Sequence, residues 1–160
     1  MILGDSIVFG CARKNCLTYC FPGAAIEHLY EFPKQFDTTK IQKICLYLGT
    51  NNFLGSRNGT VAPEKPEHVF EKYKTLVQTC ADVGFDVHMC PLFGIQSKRE
   101  AVLEFNRLLK EFAHTNNYKL CNTKDVSYYR DIGDHNKEDL RDGIHPTVRG
   151  TMKVASCFTF

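Results

Sequence analysis

The sequence lacks the features that would assign it to a membrane or secreted class. No stretch approaches the roughly 18–20 consecutive apolar residues that a membrane-spanning helix needs. The first residues do not form the basic segment followed by an apolar stretch that is typical of a signal peptide. The chain also has no internal repeat and no low-complexity tract. A globular protein is therefore the starting hypothesis.

Charge of one sign is also scarce. The 20 Lys and Arg residues nearly balance the 18 Asp and Glu residues, and the formal net charge is +2. This small excess gives no argument for binding to nucleic acid or to an anionic membrane surface. The net charge does not exclude a local basic patch.

Cysteine, in contrast, is plentiful, and we expect it to be reduced. The eight cysteines would permit disulfides by their even number. However, Cys45, Cys90 and Cys121 lie in apolar runs typical of central strands, where cysteine behaves as a small buried hydrophobe. A domain of this size also folds without covalent cross-links. We therefore expect free thiols and a cytoplasmic location.

A zinc site is the alternative interpretation of the first three cysteines. Cys16 and Cys20 have a spacing found among zinc ligands, and Cys11 and His28 lie near them in the sequence. Zinc sites normally show two tight ligand pairs, and His28 has no partner nearby in the sequence. We therefore predict buried thiols, with no metal and no cofactor.

Apolar runs alternate with amphipathic segments along the chain. The pattern predicts strands at residues 2–3, 17–20, 41–48, 85–92 and 118–121, and helices at residues 24–32, 67–83, 97–116 (with Ser97 as the cap) and 148–158. Glycines and prolines predict a long loop at residues 53–66. Strands separated by such helices imply a parallel sheet. We expect one α/β domain over residues 1–160, which can be part of a longer protein because only three residues precede the first motif.

Three segments with chemically interesting residues each follow a predicted strand. They are Gly4-Asp5-Ser6, Pro22-Gly23 and Gly49-Thr50-Asn51-Asn52. Ligands of parallel α/β folds bind beyond the carboxyl ends of the strands. We therefore expect these three segments to meet at one edge of the sheet.

Ser6, Asp142 and His145 have the chemistry of an activated serine nucleophile. A serine hydroxyl is a weak nucleophile until a base takes its proton, and histidine is the usual base because its pKa lies near neutral pH. A carboxylate then holds the histidine in the required tautomer. In Asp142-Gly143-Ile144-His145-Pro146, a turn can bring the carboxylate to the ring nitrogen that faces away from the serine.

The tetrahedral intermediate of such a reaction needs donors for its oxyanion. The candidates are the backbone N–H groups of Ser6 and Gly23 and the side-chain amide of Asn51. Glycine at position 23 lets the backbone approach a ligand closely. We also predict substrate contacts from Asn52, Phe53 and Ile144.

Each of these residues has a plainer interpretation as well. Ser6 could cap the next helix, Asp142 and Asn51 could be ordinary turn residues, and Gly23 could start a helix. His135 is a rival base, but it lacks the Gly-x-His-Pro setting. The functional interpretation is favoured because all the segments occur together and in a consistent order.

The four segments resemble the four blocks that name the SGNH (GDSL-type) hydrolases. Gly4-Asp5-Ser6, Gly23, Gly49-Thr50-Asn51 and Asp142-Gly143-Ile144-His145-Pro146 cover residues 4–146 in the order of the family. The resemblance implies a three-layer α/β/α, flavodoxin-like parallel sheet and metal-free ester hydrolysis through an acyl-serine. It also implies Ser6 as nucleophile, Gly23 and Asn51 as oxyanion donors, and Asp142 and His145 as acid and base. Asn52 stands where many members have Asp, and the segment around Gly23 is a loose match.

The compact spacing also resembles the esterase domains in the first protein of some LINE-type retrotransposons. This narrower resemblance implies an intracellular domain of a larger, self-associating, nucleic-acid-associated protein. Three functions follow as hypotheses: an esterase acting on short acyl (acetyl) or lysolipid esters, a nucleic-acid-binding module, and a membrane-surface acyl hydrolase. In the last, apolar residues at 53–55 and 93–95 would touch lipid. We favour the esterase because Ser6 and His145 are both present.

Overall fold

A five-stranded parallel sheet forms the centre of the molecule. The structure is a computed structural model that describes residues 1–55, 62–93, 95–121 and 139–158. The strands are β1 (Ile2–Gly4), β2 (Thr18–Cys20), β3 (Lys43–Tyr47), β4 (Asp86–Met89) and β5 (Lys119–Leu120). Their order, β2-β1-β3-β4-β5, is that of flavodoxin-like folds. The predicted three-layer α/β fold is confirmed.

The central strands are apolar because helices cover the sheet. Every residue of β1 is buried, as is every residue of β3 and β4 after the first. Strands of parallel sheets are buried on both faces, so their sequences are apolar without alternation. The edge strands β2 and β5 are half-buried and exposed, respectively. The segment carrying Ser6 therefore continues from a fully buried strand.

The long helices begin and end close to the predicted residues. They are α2 (Pro66–Val83), α3 (Arg99–Thr115) and α4 (Val148–Cys157). One face of α2 is buried, and the helix ends at Gly84, whose φ of 104° favours glycine. The buried residues are Val69, Phe70, Tyr73, Leu76, Val77 and Cys80. The rings of Tyr73 and Phe105, 5.5 Å apart, join α2 to α3. The amphipathic patterns thus identified these helices correctly.

Three local predictions are wrong. Residues 24–32 do not form an α-helix but a 3₁₀ turn at Ile26–Leu29, followed by another at Pro33–Gln35. Pro33 has no backbone N–H to donate to the carbonyl of Leu29, so an α-helix cannot continue through this position. The predicted loop at 53–66 begins inside a helix, α1 (Thr50–Leu54), which ends at Gly55. Ser97 does not cap α3, because it lies within a 3₁₀ turn and Lys98 occupies the cap position.

The cysteines pack as thiols. None of the eight forms a disulfide, and the Sγ atoms of Cys45 and Cys121 lie 2.9 Å apart in the core. Cys11 and Cys20 contact backbone carbonyls, and the described ranges contain no group of three or more His, Cys, Asp or Glu residues placed to hold a metal ion. The zinc interpretation therefore has no support in this part of the chain. The helices of the described segments are too short or too polar to cross a membrane.

Gly4, the last residue of β1, has no room for a side chain. A Cβ atom here would lie 2.7 Å from each γ-methyl carbon of Val8 and 2.8 Å from the carbonyl oxygen of Tyr47. We expect Gly4→Ala to lower the free energy of unfolding by about 1–3 kcal/mol, the usual cost of overpacking. Urea denaturation measures this change.

Val8→Ala serves as the companion substitution because it removes the two closest contacts. The double variant should lose less stability than the sum of the single losses. Additive losses would show that Val8 does not limit the space at Gly4.

Candidate active site

Hydrogen bonds hold the segments after β1, β2 and β3 together at the carboxyl end of the sheet. The backbone N–H of Phe21, after β2, donates to the carbonyl of Gly4 at the end of β1, at 2.9 Å. The side-chain amide of Asn51, after β3, donates to the carbonyl of Ala24, also at 2.9 Å. The predicted convergence of the three segments is confirmed.

Ser6 is presented by a short turn that Asp5 caps. Residues Ser6–Val8 form a 3₁₀ turn, and the Asp5 carboxylate accepts a hydrogen bond from the N–H of Ile7 at 3.1 Å. Asp5 is fully buried, whereas Ser6 is half-buried. Asp5 therefore fixes the backbone that carries the serine.

The structure brings Ser6, His145 and Asp142 into one hydrogen-bonded chain. Ser6 Oγ lies 3.1 Å from His145 Nε2, and His145 Nδ1 lies 2.7 Å from Asp142 Oδ2. A proton on Nδ1 satisfies the carboxylate and leaves Nε2 as an acceptor for the serine proton. This is the arrangement of a nucleophile, its general base and the carboxylate that orients the base.

Asp142 reaches the imidazole because it also closes a local turn. Its Oδ1 accepts hydrogen bonds from the backbone N–H of Ile144 at 3.1 Å and of His145 at 2.7 Å. Gly143 between them has a φ of 79°, which favours glycine. Desolvation raises the pKa of Asp142, but the hydrogen bonds from His145 and Ile144 outweigh it and lower the pKa to about 2. Asp142 is therefore ionised throughout the neutral range.

The same turn is closed by a short antiparallel pairing. Leu140 bridges Pro146, and the N–H of Arg141 donates to the carbonyl of His145 at 2.8 Å. The N–H of Thr147 donates to the carbonyl of Asp139 at 2.8 Å. His145 thus lies within a closed loop whose two ends are joined.

Asp139 attaches this loop to α4. Its carboxylate is fully buried and forms ion pairs with Lys153 and Arg149, the latter at 3.2 Å from Nε to Oδ1. A buried carboxylate requires such compensation. Asp139 is a positioning residue that the sequence patterns did not reveal, because its partners follow it by 10 and 14 residues and no local motif connects them.

Gly23 is required by the conformation of its turn. The N–H of Ala24 donates to the carbonyl of Phe21 at 3.0 Å, Pro22 occupies the second position, and Gly23 has a φ of 79°. These are the features of a type II turn, whose third residue favours glycine. A Cβ atom at Gly23 would meet nothing within 4 Å, so the requirement is conformational. The oxyanion role of Gly23 stays a prediction.

Solved structures of lipolytic and carbohydrate esterases share this fold. A member of the lipolytic G-D-S-L family from Veillonella parvula has a TM-score of 0.74 and 21% identity, covering 96% of this chain and 92% of that one. The acetyl xylan esterase AlAXEase has a TM-score of 0.76 and 15% identity, over 96% and 94% of the two chains. A catalytic mutant of Axe2, an acetylxylan esterase from Geobacillus stearothermophilus, gives 0.76 and 14%, over 98% and 90%.

The chain has the SGNH hydrolase fold. No model of a protein family and no curated protein matches the sequence. The TM-scores of 0.74–0.76 establish the fold. Because the sequence identities are only 14–21%, the activity has to be argued from the site. The narrower resemblance to retrotransposon domains stays a prediction.

Asn52 has a structural place in this SGNH fold, so its predicted substrate contact is wrong. Its side chain is buried, and Oδ1 accepts from the N–H of Ile26 at 3.1 Å. Its Nδ2 donates to the carboxylates of Glu27 at 3.0 Å and Glu64 at 2.7 Å. Lys72 pairs with the same two carboxylates. An amide suits this position because aspartate would add a third carboxylate.

Phe53 and Ile144 also face the interior. Phe53 is fully buried, and Ile144 is half-buried against the hydrophobic core. Phe93 and Ile95, predicted to lie at the site edge, are buried as well. The predicted substrate contacts of Phe53 and Ile144 are therefore not supported, nor is a lipid contact by residues 53, 93 and 95. His135 lies outside the described residues.

Two adjoining hollows open beside the serine. Ser6, Phe9, Arg141 and His145 line both of them. The first, of about 480 Å³, continues to Pro22 and Asp142. The second, of about 410 Å³, is completed by residues that the sequence patterns did not single out: Gly10, Pro146, Thr147, Val148, Thr151 and Met152. His145 is thus accessible from two hollows.

The buried carboxyl group of Asp5 makes the stability of the site pH-dependent. Desolvation raises its pKa from 3.8 to about 6, against the opposing effect of hydrogen bonds from Ile7 and Thr50. Between these two values the folded protein holds a proton that the unfolded chain has released. Folding is therefore favoured at the acid end of this range and loses this contribution as the pH rises through about 6.

We expect Asp5→Asn to flatten the pH dependence of stability. Wild type should lose on the order of 3 kcal/mol of unfolding free energy between pH 4 and pH 8 that the variant does not lose. Urea denaturation at several pH values measures the difference between the two proteins. Parallel curves for wild type and variant would show that Asp5 is already ionised in the folded protein at pH 4.

Proposed function

We propose that this protein is a serine esterase that hydrolyses short-chain acyl esters through an acyl-serine intermediate. The observation that carries the proposal is the chain of hydrogen bonds from Ser6 through His145 to Asp142. Hydrogen-bond contact between nucleophile and base, with a third group orienting the base, is the signature of nucleophilic catalysis. The SGNH fold of the chain is compatible with this chemistry.

In the proposed reaction, Ser6, His145 and Asp142 each have a role. His145 Nε2 takes the proton of Ser6 as Oγ attacks the carbonyl carbon of the ester. Asp142 stabilises the imidazolium that forms. The imidazolium then gives its proton to the leaving alkoxide. A water molecule that His145 deprotonates attacks the acyl-serine, the bond between Oγ and the acyl carbon breaks, and the imidazolium returns the proton to Ser6 Oγ as the carboxylic acid leaves.

The oxyanion of the tetrahedral intermediate requires donors near Ser6. We assign this role to the N–H groups of Ser6 and Gly23 and to the amide of Asn51. One hydrogen of the Asn51 amide is used by the carbonyl of Ala24, which holds the Gly23 turn in place. The second hydrogen of the same amide is the one we assign to the oxyanion.

An acetyl ester is the first substrate to test. Of the three solved structures named above, two are acetylxylan esterases and one belongs to a lipolytic family. Acetyl esters and lysolipid esters are therefore the candidate substrate classes. The described residues around Ser6 border two hollows of about 480 and 410 Å³, which are large enough for a short acyl ester.

The alternative is a nucleic-acid- or membrane-binding module of a larger, intracellular retrotransposon protein. One observation favours nucleic acid: Lys14, Lys40 and Lys43 border a hollow of about 980 Å³ at the amino ends of the strands. A steep salt dependence of RNA binding would support this alternative. The esterase is favoured because the +2 net charge provides little attraction for a phosphate backbone.

We expect Ser6→Ala and His145→Ala each to lower kcat for p-nitrophenyl acetate by at least about 10³-fold, because the nucleophile and its base act as one unit. Ser156→Ala and His114→Ala are matched controls at exposed positions outside the site, and both should retain activity. Folded, pure wild type with no serine-dependent turnover of any activated ester would overturn the proposal.

We expect Asn51→Ala to lower kcat by about 10²–10³-fold with a smaller effect on KM, because an oxyanion donor acts mainly in the transition state. Asn116→Ala is the control, since that amide also donates to a backbone carbonyl, at 2.9 Å, but at the end of α3. Equal activities of the two variants would exclude Asn51 as a donor. Thermal unfolding of both variants separates a loss of donor from a loss of fold.

A further inference from the structure

Three large apolar side chains lie exposed beside the candidate nucleophile. The exposed fractions are 74% for Phe9, 82% for Val148 and 71% for Met152. All three line the second hollow together with Ser6 and His145. Single exposed apolar residues are ordinary, whereas a cluster of them at a site points to a ligand. We call these three residues the apolar ledge.

The local structure holds the apolar ledge in place. Val148 and Met152 are four residues apart on α4 and therefore share one face of the helix. The opposite face of α4 is buried through Val154 and Cys157. Phe9 directly follows the turn that carries Ser6, so the ledge spans from the serine to α4.

The position of His145 indicates which part of an ester the ledge receives. The oxygen that leaves must lie within hydrogen-bond reach of Nε2, because the imidazolium supplies its proton. His145 borders both hollows, but Val148 and Met152 of the ledge line only the second one. Pro22, which directly precedes the proposed oxyanion donor Gly23, lines only the first hollow, so we assign the acyl portion to the first hollow and the alcohol portion to the second.

We propose that the apolar ledge binds the alcohol portion of the substrate, and that this portion is an aliphatic chain or an aromatic ring. The proposal rests on the proposed esterase function and names its substrate class: short acyl esters of an apolar alcohol. The hollow, at about 410 Å³, falls within the size range of small-molecule sites.

Two series of esters test the assignment. In wild type, kcat/KM should rise from methyl to butyl to hexyl acetate by about two- to fourfold for each added methylene that the ledge covers. The series from ethyl acetate to ethyl hexanoate lengthens the acyl portion instead and should not show this rise.

The substitutions Phe9→Ser and Met152→Ser should reduce the ratio of kcat/KM for hexyl acetate to that for methyl acetate by at least about fivefold. Leu103→Ser removes an exposed apolar side chain from α3, lines neither hollow, and should leave the ratio unchanged. Unchanged ratios in the ledge variants would overturn the proposal. A rise along the acyl series that the ledge variants abolish would also overturn it, because the ledge would then bind the acyl chain.

A binding measurement separates this proposal from the esterase activity. The chain has three methionines, of which Met1 and Met89 are buried, so the methyl group of Met152 is a well-placed NMR reporter. In the Ser6→Ala variant, hexyl acetate should shift the Met152 methyl resonance, and methyl acetate should shift it much less.

A shift of the Met152 resonance in Ser6→Ala, together with no ester turnover by wild type, would support the ledge as a binding site. The same result would overturn the esterase proposal. No shift at saturating hexyl acetate would overturn the ledge assignment even in an active esterase. A Met152 resonance that moves with protein concentration alone would identify a self-association surface and would also overturn it.

Discussion

The pairing of β1 with β2 on one side and β3 on the other determines where the site lies. Gly4 is aligned with Cys20 of β2 and with Tyr47 of β3, so the three strands end at the same level. The segments that follow the three strands therefore lie next to one another at one edge of the sheet. Because β1 is fully buried, a shift in its register would displace its apolar side chains as well as Ser6. The stability of the core and the position of Ser6 thus depend on the same hydrogen bonds.

The other half of the site is positioned by different forces. The turn that carries Asp142 and His145 lies within residues 139–147, directly before α4. It is closed by its own backbone hydrogen bonds and is attached to α4 by the buried carboxylate of Asp139. Buried ion pairs define a geometry more than they stabilise a fold. A loop that must present an imidazole within 3.1 Å of a hydroxyl benefits from that definition.

Much of this architecture could be predicted from the sequence because it depends on patterns with a fixed period. Apolar runs identified the central strands, and the spacing along residues 67–83 identified α2. Ser6, Asp142 and His145 were recognisable because their chemistry and local turns are both encoded within a few residues. The predicted start of α3 at Ser97 was less accurate, because Ser97 lies in a 3₁₀ turn that precedes the helix.

The remaining errors concern the direction of side chains. Asn52 and Phe53 follow the candidate donor Asn51 directly, and proximity in sequence suggested a common site. The short helix α1 rotates successive side chains by about 100° each, which turns both into the interior. Asp139 and Met152 were not predicted because their roles depend on contacts with distant segments. Exposed apolar residues on a helix have no sequence signature until their neighbours are known.

The hydrogen bond between Ser6 and His145 joins residues 139 positions apart, and this separation has a consequence for synthesis. Ser6 emerges from the ribosome long before His145 exists. Until the turn at residues 139–147 is made and docks through α4, the serine has no base and remains an ordinary hydroxyl. If the proposed esterase is correct, its activity would appear only when α4 is in place.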